Sequence, residues 1–270
     1  MSSILCIGNF GSGDIGQLKV VGLMKYLYIK YKYKFVLGLG NNILPNGVKN
    51  KKDPQFKQKF EDPYKELLND IKFYNLLGEI DYIDKKSVKG QIEYSSINKK
   101  WILPHHFYCF KKYINKIPVE FIILDSNLEK LKNKKTQEIW AINTLLESKS
   151  RWNILVSHHP WISFGKKYKY SHELDILFNK LVDTKKVDLI ISGHENNQQH
   201  IYIPNKPNMI ISGVGTQLNT KFPIIKIYEE LKFSSNELGC CIIEVSKKRL
   251  TISFYNINKQ KIHNFSVNKY

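Results

Sequence analysis

Short apolar runs recur along the chain with longer stretches of helical pattern between them. Runs of four to eight apolar residues bounded by glycine or polar clusters read as strands. They predict strands at 4–8, 35–40, 73–78, 121–125, 153–157, 188–193 and 209–213. Two further runs, 240–245 and 250–255, close the chain as an antiparallel pair. Apolar positions at helical spacing predict helices over 17–31, 53–70, 135–148 and 172–184. Strands alternating with helices indicate an α/β fold. With no repeat and no low-complexity linker, residues 1–270 read as one domain.

The residues after each strand change the picture. GNFG stands at 8–11, GNN at 40–42, GEID at 78–81, SHHP at 157–160 and GHENN at 193–197. A glycine after a strand is ordinary turn chemistry, but five polar clusters at five strand ends mark a crevice at the carboxyl edge of a sheet. Gly38 and Gly40 in GLG lack the third glycine and the helix of a dinucleotide fingerprint.

Composition adds a charge of +18. Such a balance invites polyanions, yet Arg151 and Arg249 are the only arginines, leaving lysines spread along the chain as solvated surface. Cys6, Cys109, Cys240 and Cys241 are too few for a disulfide framework and read as buried free thiols. The first residues, MSSILCIG, read as a strand rather than a signal peptide, and no run reaches the roughly 18 apolar residues of a membrane helix. The expected location is cytoplasmic or otherwise intracellular, in a reducing compartment.

The five clusters, in order and spacing, resemble those of purple acid phosphatases of the small tartrate-resistant type, within the calcineurin-like metallophosphoesterases. GNFG resembles that family's GDWG, GNN its GDN, GEID its GNHD, SHHP its GHYP and GHENNQQ its GHDHNLQ. Segments away from the crevice match too: NGVKN with DPQFKQKFEDPY, QIEYS with KKWILPHHFY, and NELGCCIIEV. The resemblance implies a four-layer sandwich of two mixed β-sheets flanked by helices, with seven side chains holding two metals. Those positions here are Asn9, Asn41, Leu44, Glu79, His158, His194 and Asn196. The family's residues there are Asp, Asp, Tyr, Asn, His, His and His, so two are unchanged.

Carried over in this way, the first metal position falls to Asn9, Asn41, Leu44 and Asn196. Neutral amides and a leucine are poor ligands for a hard ion, so this half-site is expected to be lost, and the dinuclear centre with it. The second falls to Asn41, Glu79, His158 and His194, a set that suits one Zn²⁺ or Fe²⁺. The competing reading is that Glu79 pairs with a lysine and the two histidines are packing residues. Ile80 stands where the family has the GNHD histidine and offers no proton. His159, at a family tyrosine position, is the remaining candidate for acid–base work or a wall of the pocket. GDIG at 13–16 matches GDWG literally, but Asp14 lies five residues past Asn9 and reads as a helix N-terminal residue. His105 and His106 read as loop residues, and Trp101, Tyr108, Trp140 and Trp161 as core or groove aromatics.

The expectation is a pseudophosphatase: a scaffold or binding module with an unidentified protein partner, and phosphate or polyanion binding as a further option. The degeneration resembles that of glideosome-associated phosphatase-like proteins, which anchor membrane complexes. The alternative is a metal-dependent phosphoesterase working with a single ion.

Overall fold

The structure, a computed structural model, describes residues 3–216 and 228–269. The chain begins with β1 (Ser3–Ile7), α1 (Ile15–Tyr31), β2 (Val36–Gly38), α2 (Asp62–Leu68), β3 (Phe73–Asn75), α3 (Lys85–Ile97) and β4 (Trp101–Ile102). It continues through β5 (Tyr108–Ile114), β6 (Ile117–Ile123), α4 (Lys134–Glu147), β7 (Trp152–Ser157), α5 (His172–Asp183) and β8 (Leu189–Ser192). It closes with β9 (Gln198–Ile201), β10 (Asn208–Ser212), β11 (Leu231–Ser235), β12 (Gly239–Val245), β13 (Arg249–Asn256) and β14 (Lys261–Asn268).

The strands form two mixed sheets, ordered β14-β13-β12-β1-β2-β3-β4 and β11-β9-β10-β8-β7-β6-β5. The centre of each is parallel, β1 to β4 in one and β6-β7-β8-β10 in the other, and its antiparallel strands lie outside that centre. Parallel strands are covered on both faces and therefore read as unbroken apolar runs. In β7 the alternation sorts them: Ile154 and Val156 enter the core shared with the first sheet, and Leu155 enters the core under α4 and α5. The shared core also takes Leu23, Met24 and Leu27 of α1 and Tyr64 of α2, all essentially buried.

All nine expected strands are present within a few residues. The expected helix over 53–70 is instead a π-helical segment, Lys57–Glu61, running into α2. Asp14 caps α1: its Oδ1 accepts from the Gln17 N–H at 2.8 Å, so the literal GDIG match is a helix start. Buried-thiol expectations hold for Cys6, Cys240 and Cys241, but Cys109 is exposed on β5, an edge strand whose alternate side chains face water. Among the described residues no helix is long and apolar enough to cross a membrane.

Candidate metal centre

The carboxyl ends of β1, β2, β3, β7 and β8 meet where the two sheets adjoin. Backbone bonds lace the clusters together: Asn9 N–H donates to Gly40 O at 3.1 Å, and Gly193 N–H to His158 O at 3.0 Å. The chain turns sharply after these strands, and Asn9, Asn41 and His194 all have left-handed φ, at 53°, 54° and 62°. Asparagine tolerates that region better than most residues. Gly40 needs glycine twice over: its φ is 88°, and a Cβ there would lie 2.4 Å from His158 Nδ1. The space it leaves lets the buried His158 ring reach Leu39 O, 2.6 Å from Nδ1.

The amides of the first half-site are taken up by other protein groups. Asn9 Nδ2 donates to Gly213 O at 2.7 Å and to Asn196 Oδ1 at 3.1 Å. Asn41 Nδ2 donates to Glu79 Oε1 at 3.1 Å, while its Oδ1 accepts the Ile80 N–H at 3.0 Å. Leu44 adds no ligand atom. Amide nitrogens directed inwards and one uncharged oxygen set do not fit the ion pair that the resemblance implies.

The second half-site is a charged cluster around Glu79. Its Oε2 faces His158 Nε2 in a short contact, His194 Nδ1 at 3.2 Å and His159 Nε2 at 3.9 Å. One ligand atom from each of Glu79, His158, His159 and His194 falls within 4.8 Å of all the others. Burial works to raise the Glu79 carboxyl, but the charge of His158 and hydrogen bonds from His158 and His194 outweigh it and hold the group well below the carboxylate range. His159 is pushed down to about 2 by burial, with His158 and His194 adding to it. His194 falls to about 4, chiefly through burial. At neutral pH His159 is therefore uncharged and donates no leaving-group proton as a standing acid. Ser126 fixes its ring: Oγ lies 2.9 Å from Nδ1 and accepts the His159 N–H at 2.8 Å.

A residue not singled out by motif completes the cluster. Lys167 Nζ lies 2.6 Å from Glu79 Oε1 and donates to His194 O at 3.0 Å. The sequence reading allowed a lysine partner for Glu79 without naming one. Gly165 positions it, because a Cβ there would lie 2.1 Å from Glu195 Oε2; glycine lets the loop 165–170 settle over the GHENN turn. The signal available in sequence was the FG that opens FGKKYKY, between β7 and α5. The cluster opens into a cleft of about 1070 Å³ lined also by Tyr82, Ser126, Trp161 and Tyr168. Beside the cleft, His106 Nδ1 meets Tyr82 Oη at 2.8 Å and the buried Asp125 at 3.2 Å, so His106 is held in a side-chain network, whereas its neighbour His105 packs against Phe107. Trp101, Tyr108 and Trp161 are buried and Trp140 is half-buried.

The calcineurin-like phosphoesterase family model matches residues 3–198. Purple acid phosphatase 4 of Arabidopsis thaliana is 25% identical over 292 residues, covering 99% of this chain and 84% of that protein. Glideosome-associated protein 50 of Plasmodium falciparum is 26% identical over 305 residues, covering 97% and 76%. Among solved structures, the one described as the anchor in the inner membrane complex of Plasmodium superposes with a TM-score of 0.87 at 24% identity, covering 99% of this chain and 89% of that one. That likeness is one of fold.

Proposed function

The chain belongs to the calcineurin-like phosphoesterase family, and we propose that within it this chain works as a protein-binding scaffold that has lost two-metal hydrolysis. Hydrolysis by that route needs one ion to generate hydroxide and a second to clamp the phosphoryl oxygens. The observation that carries the proposal is the fate of Asn9 and Asn41. Both amides are spent on bonds to other protein groups, where an ion pair needs carboxylates. Ile80 supplies only a backbone N–H. The relative whose solved structure is described as an anchor supports a role in assembly, and the partner proposed here is another protein. Phosphate or polyanion binding at the lysine-rich surface would be an accessory property.

The test is elemental analysis together with an aryl phosphate assay, on protein purified without chelators and then incubated with Zn²⁺, Fe²⁺ or Mn²⁺. The expected result is at most one ion per chain and no turnover above the buffer blank. Two ions per chain with chelator-sensitive turnover overturn the scaffold reading.

A second reading is a phosphoesterase with one ion, favoured by the proximity of the ligand atoms of Glu79, His158, His159 and His194. When bound, that ion would supply Lewis-acid activation of a phosphoryl oxygen or of water. The chain's own part would be to hold it through Glu79, His158 and His194. This reading expects Glu79→Ala and His194→Ala each to abolish a chelator-sensitive activity. Turnover indifferent to both changes rejects it.

A further inference from the structure

We propose that Glu79, His158, His159 and His194 form a single divalent-metal site of three imidazoles and one carboxylate, for which the Lys167 ammonium is a built-in competitor. The inference rests on the reading that the ion pair is lost. It adds a donor, His159, and a gate, Lys167, that the family's ligand positions do not contain.

The orientation of the rings carries the site. A carbonyl oxygen only accepts, so the His158 nitrogen 2.6 Å from Leu39 O, Nδ1, bears its hydrogen. Nε2, the other ring nitrogen, is thereby directed at Glu79 Oε2. A backbone carbonyl on the far nitrogen is the usual support of a metal-bound histidine. His159 repeats the arrangement, with Ser126 Oγ 2.9 Å from Nδ1 and Nε2 directed at the same oxygen. His194 presents Nδ1 to it at 3.2 Å. Three nitrogens from two different turns thus converge on one oxygen. Imidazole with carboxylate is a donor set for a borderline ion such as Zn²⁺.

The gate follows from charge. The Lys167 ammonium is 2.6 Å from Glu79 Oε1. An ion held by the same carboxylate would sit beside it, and like charges at such separations repel strongly away from bulk water. The site therefore takes the ammonium or the ion. Lys167 is 28% exposed, so its side chain has a path into the cleft when it is displaced. Its neighbours Tyr168, Lys169 and Tyr170 line that cleft, so loading the site would alter the cleft wall.

The experiment is Zn²⁺ titration of the full chain against a chromophoric chelator, repeated with Co²⁺ to read ligand geometry by absorption. Wild type, Lys167→Met, His159→Ala and Glu79→Gln are compared, with far-UV circular dichroism confirming that each is folded. Lys167→Met is expected to bind one Zn²⁺ about tenfold or more tightly than wild type, and His159→Ala to bind it about 10–100-fold more weakly than its parent. If Lys167→Met does not fold, Lys167→Gln replaces it. Unchanged affinity in the lysine variant removes the gate, unchanged affinity in His159→Ala removes the fourth donor, and no binding by any variant overturns the site. The aryl phosphate assay is run alongside. Turnover with two ions bound would bring down the scaffold reading instead, so the two failures are distinguishable.

Discussion

Asn41 shows how one atom separates a ligand that the resemblance implies from a structural bond. An aspartate there would place an oxygen where Nδ2 now donates to Glu79 Oε1 at 3.1 Å. Asn41→Asp removes a hydrogen bond and sets a second carboxylate against the first, so it is expected to cost about 1–3 kcal/mol in urea unfolding at neutral pH without added metal. No loss would mean that the two side chains are not in contact. At this scale the sequence was informative about identity and poor about partners. The departures from the family's motif pattern at Asn9, Asn41, Leu44, Asn196 and Ile80 were legible because each sits at a fixed offset from a strand end. Lys167 was not, because it is one of many lysines and its contact with Glu79 spans two clusters far apart in the chain. Chemistry at a fixed offset can be read along a chain; a long side chain returning from a loop cannot.

Among the elements, the buried parallel strands were legible from their apolar runs and the edges were not. β14 alternates exposed positions with half-buried ones, and β5 presents Cys109, Lys111 and Tyr113 outwards, so neither makes an unbroken apolar run. α3 was missed because KKSVKGQIEYSSI carries a glycine and three serines and few apolar positions. A contact from one such edge, β14, joins the two sheets. His200 of β9 stacks on Phe265 of β14, and His263 Nε2 lies 3.0 Å from His200 Nδ1. His200 Nε2 pairs with Asn208 Oδ1 at 2.9 Å, so the neutral ring donates there and accepts from His263. Burial, with the charges of His263 and Lys232 adding to it, lowers His200 to about 4 despite the Asn208 bond. A histidine whose folded value lies below its unfolded one contributes stability that is complete above about 6.5 and is lost as pH falls towards 4. Denaturant unfolding is expected to show stability declining across that window. The His200→Gln variant should show a shallower decline, by up to about 1.4 kcal/mol per pH unit. Identical slopes would place the acid sensitivity elsewhere.

For the whole molecule, the two sheets share a buried core. Residues of both, among them Leu5, Leu37, Phe121, Ile154 and Ile191, lie in a single buried cluster. Trp101 belongs to one sheet and Trp152 to the other, and both are fully buried. Tryptophan fluorescence and far-UV circular dichroism are therefore expected to report the same urea midpoint. Separated midpoints would mean that the sheets unfold independently. The ion pairs of Lys25, Lys89 and Lys185 lie at exposed positions, where such pairs contribute little.

The lysine over Glu79 also bears on supply. A metal cofactor is a solute, and its occupancy follows whatever the surroundings provide. An ammonium on the chain is present once per molecule, at a local concentration set by the tether rather than by the medium. A fold that neutralises its central carboxylate in this way is expected to mature without trace metals, with an unfolding midpoint that a chelator does not move.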